Sequence, residues 1–405
     1  ISQISLKKGV INNSGSSYGT VAERLSTITD QSNASTSIRL DYWKKVGEAI
    51  KEQPITGVGF GNWKLYSTKY MSTLLDDNTF SKHPHNDFLE IAVETGVLNS
   101  LIYLLIFVVA FGFTLKMIFS KREIETKFIS IILLASLAGY FVDAFFNFPL
   151  ERPHMQILFV FVLALIILNF TVNNDEGTVA KTSKLKMITV YGIVLLSCFT
   201  IYGHYTVLKS MKSQYIVDND LNSIDNVPNA LPKYKYAEVS KMFPSFPNIA
   251  ENSQTIGLKL AKYLRAEKRY DEAFKVLDSV HKFSPYIAYD DYLKSNMYQD
   301  LKQNDSAYVY AKKSFYAKPR NFYYYRMASY YAAIHKDSNE VHKLFNLYNL
   351  YRHDEQSFSY YAQSLGWSGY DVIDLRKIVD IGLVNYPKNI ELLQLKATLS
   401  GTNKL

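Results

Sequence analysis

Residues 98–119, LNSLIYLLIFVVAFGFTLKMIF, carry one charge, Lys116, near their end. They have the length, roughly 17 to 25 residues, that a bilayer-spanning helix needs. Three further stretches repeat the pattern: 128–148 after the basic run Lys121, Arg122, Lys127; 155–170, which is shorter; and 187–208 after Lys181, Lys184 and Lys186. Each alone also fits a buried helix of a soluble domain, but four so close together read as a polytopic membrane bundle. The fold class expected is all-α: polytopic membrane helices, a helical loop domain ahead of them (1–97), a linker (209–247) and a helical tail (248–405). Lys and Arg are retained on the cytoplasmic side, so the two basic loops lie inside. The segment 1–97, the short loop Pro149 to Pro153 and the tail 209–405 then face outward.

Composition agrees with a packed chain. Of 405 residues, 48% are hydrophobic and 20% charged, which excludes a disordered polymer. A single cysteine, Cys198, excludes a disulfide scaffold and a multi-cysteine zinc module. Lys plus Arg 45 against Asp plus Glu 37 leaves +8, which suits anionic lipid or phosphate as well as nucleic acid, so charge alone does not choose. The chain opens on Ile1 without a signal-like n-region, and reads as the C-terminal part of a longer protein.

After Lys209 the sequence turns polar and rich in Tyr. Pro285, Pro319 and Pro387 stand at intervals of 34 and 68 residues, and twelve residues before the first two are Ala273 and Ala307. Ala261 and Ser295 occupy the other small-residue position, and Leu277 and Ala311 a core position. In the middle repeat His353 stands where proline would fall and Val341 replaces the alanine. The period is that of tetratricopeptide helix pairs, whose stacked array exposes a concave binding face for peptide, glycan or protein partner. The alternative is an irregular helical domain with coincidental prolines.

The loop before residue 98 holds the chemistry. Ser35 to Gln53 reads as an amphipathic helix, with Ser37 as its cap, and Ile38, Tyr42, Val46 and Ile50 at helical spacing. Arg39 and Trp43 share an adjacent stripe, and Pro54 ends the helix. Gly57-Val58-Gly59-Phe60-Gly61 follows, able to expose amides to a phosphate or equally to form a tight structural turn, since no strand precedes it and no Gly-Lys-Ser/Thr follows. Then comes His83-Pro84-His85-Asn86-Asp87, where Asn86 or Asp87 starts a helix that ends near Gly96. His85 at such an N-terminus suits an anionic group, and a neutral imidazole there accepts a proton. A metal bound by His83, His85 and a carboxylate is the competing reading, but His-Glu-x-x-His is absent and no metal is expected. Either histidine taken singly is also compatible with a solvated surface residue.

Taken together, Arg39-x-x-x-Trp43, Pro54-x-x-Gly57-x-Gly59-x-Gly61 and His85-Asn86-x-x-Leu89-x-x-x-x-Glu94-x-Gly96 leading into a span resemble the O-antigen ligase and polymerase family over about Arg39 to Phe170. The resemblance implies a polytopic inner-membrane glycosyltransferase that passes a glycan from an undecaprenyl diphosphate carrier to an acceptor hydroxyl on the periplasmic side. The acceptor is lipid A core, another glycan or a protein, and the motifs do not say which. The resemblance assigns the diphosphate to Arg39 and acceptor activation to His85; Trp43, Gly57, Gly59, Gly61 and Asn86 stand in the same motifs as candidate substrate-binding residues, and Arg152, placed by its position at the outer membrane surface, is a further candidate. Asp143 and His154 fall near Arg152 at the same membrane surface, where interfacial charges ordinarily snorkel into water. The family also uses an arginine in an earlier loop and further preceding spans, which this sequence does not contain. His83 matches no position of the motif. The expected partners are the lipid-linked donor, the acceptor, membrane lipid and a protein partner at the tail, with no cofactor and no nucleic acid. A membrane-anchored, non-enzymatic repeat scaffold is the alternative function.

Overall fold

The computed structural model describes residues 34–77, 79–172, 184–225, 230–250 and 252–401. Residues 1–33 of the expected loop domain and Lys181 of the second basic loop lie outside them. Among the described residues there are seventeen α-helices and no β-strand. The loop ahead of the spans contributes α1 (Ala34–Glu52), α2 (Trp63–Met71) and α3 (Asp87–Thr95). Four helices are long and apolar enough to cross a membrane: α4 (Val97–Ile118), α5 (Ile124–Phe146), α6 (Pro153–Val172) and α7 (Lys184–Asp225). The protein is an all-helical membrane protein.

The chain divides into two compact units, 1–63 with 82–176 and 64–81 with 177–405. In the first, α4, α5 and α6 bury an aromatic seam in which Phe159 stacks on Tyr140 at 4.3 Å and on Phe107 at 5.1 Å. Phe88 and Ile91 of α3 pack against the same seam, which ties the loop to the bundle. The opposite faces carry exposed Leu101, Leu105, Val108, Ile131 and Phe161. Apolar side chains facing outward around a polar-poor core suit helices whose solvent is lipid.

In the second unit α7 runs unbroken past Leu208, where hydropathy alone ends the span, to Asp225. Charged residues beyond Leu208 end the apolar window without ending the helix, and one face of that extension is buried within its own unit. Val217 and Leu221 pack on Val239 and Tyr263. Asp220 accepts from the Tyr263 hydroxyl at 2.8 Å and from the Lys233 and Tyr234 amides. The segment expected as a linker is therefore largely helix, including α8 (Tyr236–Met242).

Helices α9 (Ile256–Ala266), α10 (Tyr270–His281), α11 (Tyr289–Asp300), α12 (Asn304–Ala317), α13 (Phe322–Ile334), α14 (Ser338–Tyr351), α15 (Glu355–Ser368), α16 (Val372–Asn385) and α17 (Ile390–Gly401) follow, joined by short turns. Pro285, Pro319, His353 and Pro387 all fall in these turns. Ala261, Ala273, Ser295, Ala307, Leu277, Ala311 and Val341 are buried between helices, where a small side chain lets backbones approach.

Residues 64–81 are held within the same unit. Leu65, Met71 and Leu75 are buried, and Tyr66 meets Tyr286 at 5.3 Å between ring centres. Asp77 lies at the N-terminus of α13: its carboxylate accepts from the Phe322 amide and from Arg352, each at 2.9 Å. Its carbonyl accepts from Asn321 at 3.0 Å and from Lys318. Arg320 donates to Asp76 at 2.6 Å. A carboxylate at a helix N-terminus with a guanidinium beside it is a strong anchor. Burial pulls the Lys318 ammonium down to about 8 against the pull of Asp77 and Asp76.

Candidate functional site

The site is built where α1, the loop before α3 and the turn between α5 and α6 converge within the first unit. Helix α1 covers the expected amphipathic segment, and Ser37 falls inside it rather than at its cap. Trp43 of α1 donates its indole N–H to the Pro84 carbonyl at 2.9 Å and meets Phe145 edge-on at 5.9 Å. Asn86 caps α3 by accepting from the Leu89 amide at 2.9 Å, and its side-chain amide donates to the Phe145 carbonyl at 2.9 Å. Both residues thus position the His83–Asn86 turn from two sides. Pinned there, His85 adopts φ +58°, a left-handed conformation that a non-glycine residue takes only when its surroundings impose it.

Around His85 the two imidazoles are driven apart. Burial holds His85 below its ordinary value, and the positive charges of Arg39, His83 and Arg152 push the same way. Its Nδ1 is buried without a partner among the described residues. For His83 burial works downward, but the 2.8 Å hydrogen bond and charge of Glu90, helped by Glu151 and Glu94, outweigh it and raise the group. One imidazole is thus kept neutral and the other favours its charged form, a split typical of acid–base sites. Phe148 joins them: it stacks on His83 at 4.6 Å, meets His85 edge-on at 5.1 Å, and carries the Arg152 guanidinium over its ring at 4.8 Å. Among the described residues neither Arg39 nor Arg152 has a carboxylate partner. The fields of both guanidinium groups reach the His85 imidazole.

The glycines play a different part from cradling a phosphate. The Gly57 amide donates to the Gln53 carbonyl at 3.1 Å, Gly59 to the Glu94 carbonyl at 2.8 Å, and Gly61 to the Glu94 carboxylate at 2.8 Å. The other Glu94 oxygen accepts from the Trp63 amide at 2.9 Å. All three amides therefore have protein acceptors, and the glycine loop is stitched to the end of α3 and the start of the first span. Gly57 and Gly96 allow the contact, since a Cβ at either would lie 2.3 Å from the Glu94 carbonyl carbon or 1.9 Å from the Ile55 oxygen.

Asp143 is engaged with Asn147 at 2.7 Å, and His154 is exposed. His85 is not part of the group that resembles a metal site. That group is His83, Glu90 and Glu151, whose donor atoms lie within 4.8 Å of one another, and the His83–Glu90 hydrogen bond accounts for its closest pair.

Sequence reasoning missed Phe148, Glu90 and Asp87. Asp87 is buried at the first turn of α3, where it accepts from the Leu150 amide at 3.2 Å and the Tyr103 hydroxyl at 3.4 Å. Burial pushes its carboxyl up to about 8, with Glu90 and Asp143 adding to the rise and those two hydrogen bonds opposing it. Because the unfolded carboxyl titrates near its ordinary 3.8, the folded state binds the extra proton between those values. Its contribution to stability is full below pH 3.8, declines as pH rises and is lost above about 8. Asp87→Asn, which mimics the neutral form, is expected to raise Tm above wild type at alkaline pH, at roughly 2–4 °C for each kcal/mol, and to leave it nearly unchanged in acid. Thermal unfolding across pH checks this; an equal shift at both ends would place the effect outside that ionisation.

The fold and the site define a helical membrane protein with four candidate spans and an arginine- and histidine-bearing loop ahead of the first of them. The O-antigen ligase family model matches residues 9–104, which hold Arg39, Trp43, the glycine loop, His85 and Asn86, and over that segment the chain is similar to the O-antigen ligase family. Arg152 and Phe148 lie beyond the matched segment. No curated protein and no solved structure matched the chain.

Proposed function

We propose that the protein transfers a glycan from an undecaprenyl diphosphate carrier to an acceptor hydroxyl at the outer face of a bacterial inner membrane. The observation that carries this reading is His85, whose imidazole burial holds toward its neutral form, within the fields of two guanidinium groups, Arg39 and Arg152, that lack carboxylate partners among the described residues. In this reading the acceptor oxygen attacks the anomeric carbon and the bond from that carbon to the phosphate oxygen breaks. The acceptor proton passes to the His85 imidazole, and the electron pair leaves with the diphosphate. Arg39 and Arg152 compensate the charge that grows on the leaving group, in a site where low polarity strengthens the interaction. Phe148 orients Arg152 and both imidazoles, and the glycine loop fixes the approach to the first span. The exposed basic residues Lys121 and Arg122 between α4 and α5 support a cytoplasmic position for that turn, with the site and the tail periplasmic. We read α9 to α17 as a divergent tetratricopeptide-like array that engages the acceptor or a partner.

The test is glycan transfer in membranes containing the full-length protein, with lipid A core, free repeat unit and acceptor protein each supplied in turn. Arg39→Ala with Arg152→Ala is expected to reduce transfer by about 100-fold or more, the order seen when a charge-stabilising donor is removed. The acceptor that is consumed separates ligase, polymerase and protein glycosylation. Full transfer by the double variant would overturn the assignment in favour of the scaffold reading.

A further inference from the structure

The tail contains a cleft of about 530 Å³ lined by α11, α13 and α15, a volume within the roughly 300–1,000 Å³ of small-molecule sites. Its walls are aromatic. Tyr330 on α13 and Tyr360 and Trp367 on α15 form edge-to-face pairs, with ring centres 6.3 Å apart for Tyr330–Trp367 and 5.6 Å for Tyr360–Trp367. Trp367 is 47% exposed. Asn296 and Gln299, one helical turn apart on α11, bring two amide groups to the same cleft. Arg326 sits over the Tyr360 ring at 5.9 Å and is the charged side chain lining the cleft among the described residues. Tyr331, fully buried, also lines it, and its hydroxyl has no hydrogen-bond partner among the described residues. A buried phenol without a partner is costly, and a ligand hydroxyl reaching it would relieve the deficit.

We propose that this cleft is an oligosaccharide-binding site, separate from the His85 site. A sugar ring is amphipathic: its C–H face lies against an aromatic face, and its equatorial hydroxyls both donate and accept. The cleft offers both kinds of surface, exposed rings and carboxamides that themselves donate and accept. A charged peptide would need several complementary charges, and the cleft supplies one. Arg326 adds a preference for glycans that carry a carboxylate. The inference goes beyond the transfer reading and does not depend on it, since the site would bind free sugar whatever the loop does.

The test uses the full chain in detergent micelles, probed with immobilised neutral and uronate-containing bacterial tetra- to octasaccharides. At least one probe is expected to bind, with affinity reduced about tenfold or more by Trp367→Ala and by the paired Asn296→Ala and Gln299→Ala, while the thermal transition stays in place. Arg326→Gln should weaken uronate probes more than neutral ones. Binding no stronger than in the Trp367→Ala chain for every probe, or binding untouched by all variants, overturns the proposal. So does a peptide library occupying the cleft where the sugars do not. No lipid donor is present in this measurement, so its failure leaves the transfer reading standing, and a failed transfer assay leaves the cleft standing.

Discussion

His85→Asn is expected to reduce glycan transfer by about 100- to 10,000-fold, the range a positioned general base contributes, with the fold and membrane insertion preserved. Asparagine is chosen because it tolerates the φ +58° that His85 adopts, whereas alanine would add strain of its own and confuse chemistry with folding. The pH profile supplies a sharper readout than rate alone. A base must be unprotonated, and burial holds His85 below its ordinary 6.5, so wild-type kcat/KM should rise on the acid side with a midpoint below that value and level off at higher pH. That acid limb should disappear in His85→Asn. An undiminished rate, or an acid limb that survives the substitution, would remove His85 from the role of base.

Gly96→Ala is expected to cause the largest loss of stability among single glycine changes, on the order of 3–5 kcal/mol. At φ +96° the added Cβ would meet the Ile55 oxygen at 1.9 Å and the Ile55 carbonyl carbon at 2.6 Å, both backbone atoms that cannot swing aside. The strain would fall where the Pro54 carbonyl accepts from the Val97 amide at 2.9 Å, so the glycine loop and the start of the first span would separate together. Gly61→Ala provides the contrast. Its φ of +70° is similarly unfavourable to alanine, yet nothing lies within 4 Å of the new atom, and a loss of only about 1–2 kcal/mol is expected. Thermal unfolding of both variants in detergent decides the matter: equal losses would mean that backbone conformation, and not the close approach to Ile55, is what requires glycine.

Much of this architecture is legible in the sequence because its signals are local. Four apolar runs find four helices, since a span must be apolar along consecutive residues. The cap at Asn86 and the end of α3 at Gly96 follow from side-chain and backbone chemistry within a few residues. What stays hidden depends on distant partners. Phe148 is one of many aromatic residues until the chain folds it between two histidines and an arginine. Glu94 belongs to the motif, but its work on the Gly61 and Trp63 amides joins positions about thirty residues apart that no periodicity connects. The attachment of Asp77 to Phe322 and Arg352 spans more than 240 residues. Asp87 is buried where the distant Leu150 and Tyr103 meet it, and no reading of an isolated acidic residue discloses that.

The placement of residues 64–81 bears on modularity. The polypeptide leaves the site-bearing unit after Trp63, re-enters it at Lys82 and leaves again after Glu176, so it crosses between the two units three times. The tail is consequently not an appendage that a stop codon can excise. A chain cut anywhere between residues 177 and 318 would strip Asp76 and Asp77 of Arg320 and Arg352, and would also bare Leu65, Met71 and Leu75, all on the stretch that separates the glycine loop from His85 in sequence. Loss of transfer in such a truncation would then report collapse of that intervening strand of chain as readily as loss of a recruiting domain. A surface substitution within an intact tail, rather than a deletion, is the manipulation able to distinguish what the tail binds from what it holds in place.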